Sequence, residues 1–325
     1  MTNTRVDRAP TSDRHALPQT VIVVGASGFI GRNLVRRLKA EVARILPVSA
    51  SASAVDGIPG LRLGDLANVE IGPDAALVDV AAYRYDAARF ATAQAEILVR
   101  NVEIAGHVYE LCARRGITEI RSASSIAVYP AAETEFDDGS PIDLNSEPHE
   151  SESMYAWSKR IGEIYAGLFA RHYDINTIAF RLTNPFGPDD SLDEAKAHVI
   201  PAFIIRALTG SGPFAIRGNP QASRDFIYVG DVCEVICRSL AVRGQRGQYN
   251  LGSGENVTID QLAKTILRLV GREAEIVASG STGSPVAERR CRNHRVRSDF
   301  RIERFTSLEE GLVATIEWYR DACRR

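Results

Sequence analysis

The 325-residue chain lacks the features that mark membrane, secreted and nucleic-acid-binding proteins. It has no apolar run near the roughly 18 residues that a membrane-spanning helix needs. The stretch 1–19 has no apolar signal-peptide core, and we expect it to be a disordered leader. Lysine and arginine total 39 against 41 acidic residues, a net charge of −2. This balance gives no reason to expect nucleic acid or an anionic membrane as a partner.

Cysteine is scarce, and the number of cysteines is odd. The five are Cys112, Cys233, Cys237, Cys291 and Cys323. A scattered, odd set is typical of reduced thiols, so we expect a cytoplasmic protein. Cys233 and Cys237 are four residues apart, but no His or Cys cluster completes a zinc site, and we expect no bound metal. The composition, 45% apolar and 25% charged, suits a soluble globular protein.

What the chain does contain, close to its N-terminus, is a glycine turn between a strand and a helix. The apolar run 21–24 indicates a buried parallel strand, and 33–38 indicates a helix. In this context the first glycine permits a tight turn, the second lets the backbone approach a pyrophosphate, and the third lets the helix pack on the strand. The helix N-terminus offers N–H groups to the phosphates. The predicted cradle comprises Gly25, Ser27, Gly28, Phe29, Ile30 and Gly31.

A second pattern places Ser125 ahead of Tyr155 and Lys159. Residues i and i+4 share one face of a helix, so Tyr155 and Lys159 point the same way. A neighbouring ammonium favours the phenolate, so Tyr155 can exchange the proton that accompanies hydride transfer. Ser125 can hold the same substrate oxygen by a hydrogen bond. A Tyr-x-x-x-Lys pair alone is more often an ordinary surface pair; the upstream nucleotide motif favours catalysis.

Strand and helix signals alternate through the first half of the chain. Predicted strands are 21–24, 44–48, 76–81, 119–123 and 176–180, with helices between them that include 89–115 and 153–172. This alternation predicts an α/β fold, a doubly wound parallel sheet of the Rossmann type, with ligands at the carboxyl ends of the strands.

Beyond residue 181 the pattern becomes irregular. Helices are predicted at 200–209, 231–241, 258–270 and 308–321, the third opening on a capping box from Thr258 to Gln261. We expect a smaller mixed C-terminal lobe that binds substrate. The predicted division is a leader, 1–19, a dinucleotide-binding domain, 20–180, and a lobe, 181–325, from which some segments return to the Rossmann core.

With these motifs in order, the chain resembles the extended short-chain dehydrogenase/reductase superfamily, in its nucleotide-sugar epimerase, dehydratase and reductase branch. The likeness runs from Val21 to Tyr319. It rests on the glycine turn, Asp65-Leu66, Ala81-Ala82, Asn101, Ser125, Tyr155, Lys159, Arg181 to Pro185, Val199 to Pro201, Arg224 to Val229, Tyr249 to Gly252 and Ser307 to Leu312. The resemblance implies NAD or NADP as cofactor and a nucleoside-diphosphate sugar as substrate. We also expect a homodimer.

The resemblance implies roles for further residues. Asp65 and Leu66 are expected near the adenine, and the cofactor site is expected to include Ala81, Ala82, Asn101, Tyr155, Lys159 and Pro185. Asn184 and Arg224 are expected on the substrate diphosphate, for which a planar guanidinium is well suited. A second phosphate arginine is expected within 289–297, and Arg290 is our choice.

A narrower resemblance links 187–201 with the substrate loop of GDP-fucose synthases. His198, followed by Val199, matches their histidine, so both are candidate substrate contacts. Ala127 stands where those enzymes have a partner cysteine, which weakens a ring-epimerisation hypothesis. His198 is equally well explained as a loop histidine or a helix cap.

The chain departs from the family pattern in three features. Ile126 and Ala127 replace the acidic pair of the dehydratases, which argues against a 4,6-dehydratase. The second strand runs into 49–53, where small hydroxyls replace the acidic residue of NAD-preferring members. These hydroxyls leave room for a 2′-phosphate, but no arginine follows, so the choice of cofactor stays open. Asp79 stands where the family has a histidine, and the sequence offers no account of it.

The leading hypothesis is a nucleotide-sugar 4-epimerase that works through a transient 4-keto sugar. The alternative is an NADPH-dependent 4-ketoreductase of nucleoside-diphosphate deoxysugar synthesis, which the missing carboxylate and the His198 loop favour. A third hypothesis, a redox-dead dinucleotide sensor, conflicts with the intact Ser125, Tyr155 and Lys159.

Overall fold

In the computed structural model, which describes residues 16–83, 92–139, 141–150, 153–279 and 289–324, strands and helices alternate from Thr20 onward. The strands are β1 (Thr20–Val24), β2 (Arg44–Val48), β3 (Ala75–Asp79), β4 (Glu119–Ser125), β5 (Glu135–Phe136), β6 (Asn176–Leu182), β7 (Asn184–Phe186), β8 (Phe214–Arg217), β9 (Ser223–Tyr228), β10 (Gly247–Leu251), β11 (Asn256–Thr258), β12 (Ile276–Ser279) and β13 (Arg290–Cys291). The helices are α1 (Phe29–Leu38), α2 (Gln94–Arg115), α3 (Ser153–Tyr173), α4 (Val199–Thr209), α5 (Val229–Leu240), α6 (Ile259–Val270), α7 (His294–Asp299) and α8 (Leu308–Cys323).

The main sheet has six parallel strands in the order β10-β6-β4-β3-β1-β2. All five residues of β1 are buried, as expected for an apolar strand covered on both faces. This confirms the predicted doubly wound α/β sheet. The strand order reverses between β1 and β3, and ligands of such sheets bind in the crevice at that point.

Most predicted elements are close to the observed ones. Helices α3, α4, α6 and α8 match the predicted helices within two residues at each end. The capping box is confirmed, because Thr258 Oγ1 accepts the Gln261 N–H at 3.1 Å and Gln261 Oε1 accepts the Thr258 N–H at 3.0 Å. The helix predicted at 89–115 begins at Gln94, and part of its predicted first turn lies outside the described residues.

The C-terminal part of the chain forms a second core with small sheets of its own. Strands β11, β9 and β7 make a three-stranded sheet, and β8 pairs with β12. Helices α4, α6 and α8 cover a core that includes Phe186, Ile204, Phe214, Ile266 and Tyr319. In contrast, β10 joins β6 in the main sheet. The domain boundaries stay a prediction, and residues 1–15 of the predicted leader lie outside the described residues.

Among the described residues, no helix is both long and apolar enough to cross a membrane. In the same ranges, no group of three or more His, Cys, Asp or Glu side chains is placed to hold a metal ion.

Candidate active site

The glycine turn after β1 touches the loop after β3. Gly25 has φ +85°, a left-handed conformation that favours glycine. A Cβ on Gly25 would lie 2.7 Å from both Cα and N of Ala81, too close for any other residue. The structure therefore brings two segments of the predicted cofactor site, Gly25 and Ala81-Ala82, together at the reversal point of the sheet.

Gly31 lies at a close contact between α1 and the turn, whereas Gly28 lies at the open start of the helix. A Cβ on Gly31 would lie 2.1 Å from the Gly25 carbonyl oxygen, so this glycine lets α1 pack on the turn. Gly28 is exposed and is the N-cap of α1, with no side chain capping the helix. The first N–H groups of α1, at Phe29 and Ile30, have no intrahelical acceptor because they open the helix. These donors fit a pyrophosphate, and the residues present therefore suit a dinucleotide.

Other predicted cofactor residues organise the loops around this turn. Leu66 is fully buried in a 3₁₀ turn, Leu63–Asn68, and Asp65 accepts the Arg62 N–H at 2.7 Å. Asn101 is buried on α2, where its Oδ1 accepts the Tyr83 N–H at 2.9 Å. Asn101 thus holds the backbone of Tyr83, which directly follows Ala82.

The predicted proton-transfer residues meet at the carboxyl end of β4. Lys159 Nζ donates to the Ala123 carbonyl at 2.9 Å and lies 5.7 Å from the centre of the Tyr155 ring. Ser125 Oγ accepts the Ala127 N–H at 3.1 Å, which leaves its own hydrogen for a substrate oxygen. The side chains of Tyr155, Lys159 and Ser125 are all half-buried, so each packs against the protein on one side and faces solvent on the other.

Glu163, which sequence reasoning missed, extends the same face of α3 by one more turn. Its carboxylate accepts the Ser124 hydroxyl at 2.7 Å and two hydrogen bonds from Arg181, at 3.0 and 2.7 Å. Burial opposes the charged guanidinium, but Glu163 outweighs it and raises the pKa of Arg181. The group binds α3, β4 and β6 into one unit beneath the proton-transfer residues. Its i+4 spacing from Lys159 was the available sequence signal.

The predicted diphosphate residues lie on neighbouring strands of the small sheet. Asn184 on β7 donates from Nδ2 to the Asp225 carbonyl at 2.8 Å. Asp225 follows Arg224 on β9, and the Arg224 side chain is exposed. The structure thus places Asn184 and Arg224 on neighbouring strands, with Asn184 opposite Phe226, and their contact with a substrate stays a prediction. Pro185 follows Asn184 on β7.

The comparisons with known proteins agree with this geometry. The family model described as the NAD dependent epimerase/dehydratase family matches residues 21–252. The chain belongs to this family. It is 30% identical to a dTDP-4-dehydro-6-deoxy-D-allose reductase of Streptomyces bikiniensis, over 97% of this chain and 100% of the relative.

Two solved structures illustrate the fold of the family. The NADP-bound GDP-L-fucose synthetase of Naegleria fowleri has a TM-score of 0.80 at 19% identity, covering 98% of this chain and 99% of that one. The Thermus thermophilus UDP-glucose 4-epimerase in complex with NAD has a TM-score of 0.76 at 22% identity, covering 93% and 99%. The cofactor of this epimerase/dehydratase-family chain is accordingly NAD or NADP.

Arg289 and Arg290, two members of the arginine run 289–297, have different surroundings. Arg290, our choice from the sequence, is exposed on β13, which runs beside Glu135 of β5. Arg289 is half-buried, and its carbonyl accepts Asn256 Nδ2 at 2.8 Å. Asn256 lies opposite Asp225 in the small sheet, which brings Arg289 towards Arg224. The role of Arg290 as a phosphate ligand stays a prediction.

His149, also missed from the sequence, shares this positively charged region. Burial is the larger cause that lowers the pKa of its imidazole, and the charges of Arg289 and Arg224 lower it further. Its carbonyl accepts the Ser153 N–H at 3.0 Å at the start of α3, the helix that carries Tyr155. No local signal marks a loop histidine of this kind, because its neighbours are distant in the sequence.

His198 is the N-cap of α4, and Val199 is the first residue of that helix. The His198 side chain is exposed and makes no capping hydrogen bond. Its role in substrate binding stays a prediction.

Asp79 now has a structural setting. It ends β3, and its Oδ1 accepts the Ala81 N–H at 3.0 Å, beside the glycine turn. Burial raises the pKa of its carboxyl, and the Lys159 ammonium and the Ala81 N–H partly oppose that rise. The departure from the family pattern therefore places an acid within the electrostatic reach of Lys159.

Proposed function

We propose that the protein is a nucleotide-sugar 4-ketoreductase, the second of the two oxidoreductive functions expected from the sequence. The observation that carries this proposal is the reductase relative from Streptomyces bikiniensis, which is similar over 97% of this chain. Its name describes reduction of a 4-keto-6-deoxysugar joined to a nucleoside diphosphate. The proton-transfer residues of this chain suit that reaction.

In the proposed reaction Tyr155 is the general acid. It would donate its phenolic proton to the C4 oxygen of the keto sugar. A reduced dinucleotide, held by the glycine turn from Gly25 to Gly31, would supply the hydride that C4 accepts. Ser125 donates a second hydrogen bond to the same oxygen, which stabilises the negative charge that develops there. Lys159, held by the Ala123 carbonyl, keeps its amine nitrogen 5.7 Å from the centre of the Tyr155 ring and so orients the site around the phenol.

Substrate binding is assigned to the other side of the crevice. Arg224 is exposed and carries the planar donor fork that matches a phosphate, and Asn184 lies on the next strand. Arg289 and His149 add positive charge or hydrogen-bond donors to the same region. Cationic groups there favour a diphosphate, whereas the sugar extends towards Tyr155.

The 4-epimerase is the second candidate. It uses the same residues, with Tyr155 first taking the C4 hydroxyl proton and then returning a proton after the keto sugar turns. The feature that favours it is the separation of the diphosphate anchor on β9 from the proton-transfer residues on α3, because an anchored diphosphate leaves the sugar free to turn.

One experiment distinguishes the two candidates. Purified protein is mixed with a nucleoside-diphosphate 4-keto-6-deoxysugar and reduced dinucleotide, and loss of the reduced nicotinamide absorbance is followed. A ketoreductase consumes one dinucleotide per sugar, and Tyr155→Phe is nearly inactive. The proposal is wrong if no keto sugar is reduced while saturated nucleotide sugars interconvert at C4. Dinucleotide binding without either reaction would support the sensor hypothesis instead.

We also propose a cytoplasmic homodimer. Exposed apolar side chains lie on α2 and α3, at Val99, Ile164 and Leu168, and such side chains suit a helical interface between copies. Light scattering on the purified protein measures the mass directly, and a monomer of 35.5 kDa at micromolar concentration would contradict the dimer.

A further inference from the structure

A single backbone bridge brings an arginine to the end of β2. Val48, the last residue of β2, bridges Leu61 in parallel. The Ser49 N–H donates to the Leu61 carbonyl at 2.9 Å, and the Leu61 N–H donates to the Pro47 carbonyl at 2.8 Å. Arg62 is the next residue, so it stands beside the carboxyl end of β2 although it is 13 residues from Ser49 in the chain.

The loop between these two segments exposes hydroxyl groups. Ser49 and Ser51 Oγ atoms are 3.4 Å apart, and those of Ser51 and Ser53 are 2.8 Å apart. Ser51 and Ser53 are exposed. A Cβ on Gly60 would lie 2.1 Å from the Ser53 carbonyl oxygen, so the returning segment lies directly against the serines. Three hydroxyls and the segment that carries Arg62 therefore share one small surface.

The acids around this surface are already engaged. No Asp or Glu occurs within 49–53. Asp56 forms an ion pair with Lys39 at 3.0 Å, and Asp65 accepts the backbone N–H of Arg62 at 2.7 Å. Arg62 is exposed, and within the described residues no carboxylate lies within ion-pair distance of its guanidinium.

The end of the second strand decides between the two nicotinamide dinucleotides. A carboxylate there binds the ribose 2′-hydroxyl of NAD, whereas a guanidinium accommodates the 2′-phosphate of NADP. A carboxylate also repels that phosphate, and this chain has none at the position. Arginine and hydroxyl donors form charge-assisted hydrogen bonds with phosphate oxygens.

We propose that the protein selects NADP(H) over NAD(H), with Arg62 as the specificity-determining residue and Ser49, Ser51 and Ser53 as donors to the 2′-phosphate. This proposal rests on one part of the proposed function, the binding of a dinucleotide at the glycine turn. Arg32 is a competing cation, and its Nε donates to the Ser27 carbonyl of the glycine turn at 2.8 Å.

The test is direct titration of NADP⁺ and NAD⁺ into the full-length protein, which needs no substrate. Wild type is expected to bind NADP⁺ at least about tenfold more tightly, as one charge-assisted contact provides. Arg62→Ala should remove this preference by weakening NADP⁺ alone, with the NAD⁺ dissociation constant changed by less than about twofold. Arg114→Ala, an exposed arginine on α2, is the matched control and should change neither constant. Ser51→Asp should reverse the preference towards NAD⁺, and it provides a second variant if Arg62→Ala does not fold.

Each outcome has a distinct meaning. Wild type that binds NAD⁺ as tightly as NADP⁺ overturns this inference but leaves the proposed function standing. An Arg62→Ala variant that keeps the preference, while Arg32→Ala loses it, overturns the assignment to Arg62. Failure of both dinucleotides to bind folded wild type contradicts the proposed function itself. Stronger competition with NADP⁺ by 2′,5′-ADP than by 5′-AMP supports a contact with the 2′-phosphate. This difference between the two competitors should be lost in Arg62→Ala.

Discussion

Glu163 of α3 and Arg181 of β6 form a two-point ion pair in the interior, with Oε1–Nε at 3.0 Å and Oε2–Nη2 at 2.7 Å. Both side chains are largely buried, 12% and 4% exposed. The pair fixes the helix that carries Tyr155 and Lys159 against the sheet. Removing one partner of such a pair leaves an uncompensated charge in the interior.

Glu163→Gln should therefore lower the free energy of unfolding by about 3–5 kcal/mol, the usual cost of breaking a buried ion pair. Urea unfolding followed by circular dichroism measures the change. Glu110→Gln is the matched control, because Glu110 pairs with Arg114 on the exposed face of α2, and it should change stability by less than about 1 kcal/mol. Equal losses in the two variants would contradict the structural role of Glu163.

Tyr155→Phe should remove the proton-transfer group but keep the ring and its packing. Turnover should fall by about 10²–10⁴-fold, the usual contribution of a general acid or base. The dinucleotide dissociation constant should change little, because the phosphate cradle is elsewhere. Steady-state kinetics and a binding titration on the same preparation measure the turnover rate and the dissociation constant. A Tyr155→Phe variant that turned over at the wild-type rate would exclude Tyr155 as the proton donor.

Gly28→Val should abolish dinucleotide binding in a protein that still folds. A Cβ on Gly28 would lie 3.2 Å from the Gly25 carbonyl, a contact that small shifts relieve, and the position is exposed. The side chain would, however, occupy the space where the pyrophosphate approaches the start of α1. Titration with NAD⁺ and NADP⁺ tests this. Gly72→Val, in an exposed loop with open space around it, is the control and should bind normally.

Arg224→Ala should weaken binding of nucleoside diphosphates by roughly 1.5–3 kcal/mol, the value of a hydrogen bond to a charged group. Arg224→Lys should retain only part of the wild-type affinity for nucleoside diphosphates, since an ammonium lacks the planar fork of a guanidinium. Inhibition by UDP, GDP and dTDP measures the loss. Arg268→Ala, whose side chain pairs with Glu309 on the surface, serves as control. The diphosphate assignment is wrong if the best inhibitor binds Arg224→Ala as tightly as wild type.

The same assay compares Arg289→Ala with Arg290→Ala. We expect the larger loss from Arg289→Ala, because Arg289 shares the surroundings of His149 with Arg224. A larger loss from Arg290→Ala would restore the assignment made from the sequence.

Asp79→Asn should become more stable relative to wild type as the pH rises. The pKa of Asp79 is raised above 3.8, chiefly by burial, so the folded state prefers the protonated acid. The stabilisation of the folded state by protonated Asp79 is fully present below pH 3.8. It is lost as the pH rises through the pKa of Asp79 in the folded protein. The difference in Tm between variant and wild type, measured from pH 4 to pH 8, tests the sign. Asp321→Asn, on the exposed side of α8, should show no such trend.

Local patterns predicted much of this molecule correctly. The glycine turn, the alternation of strands and helices and the Thr258 capping box depend on residues close in the chain, whose geometry follows from backbone preferences. Helical periodicity likewise placed Tyr155 and Lys159 on one face. The same periodicity extends to Glu163, but its partner Arg181 lies on a strand, and no spacing rule joins a helix position to a strand position.

The sequence by itself determined the fold class, and it predicted a dinucleotide cradle and a proton-transfer pair, because each is encoded within a short segment. Tertiary structure decided the rest. The sequence showed no arginine after the second strand, yet the bridge between Val48 and Leu61 brings Arg62 to its end. The pairing of β13 with β5 leaves Arg290 exposed beside Glu135 while Arg289 is half-buried, and packing brought Asp79 within reach of Lys159. The physical reason is that these neighbours lie far apart in the chain, so only the pairing of strands and the packing of helices determine which charges meet.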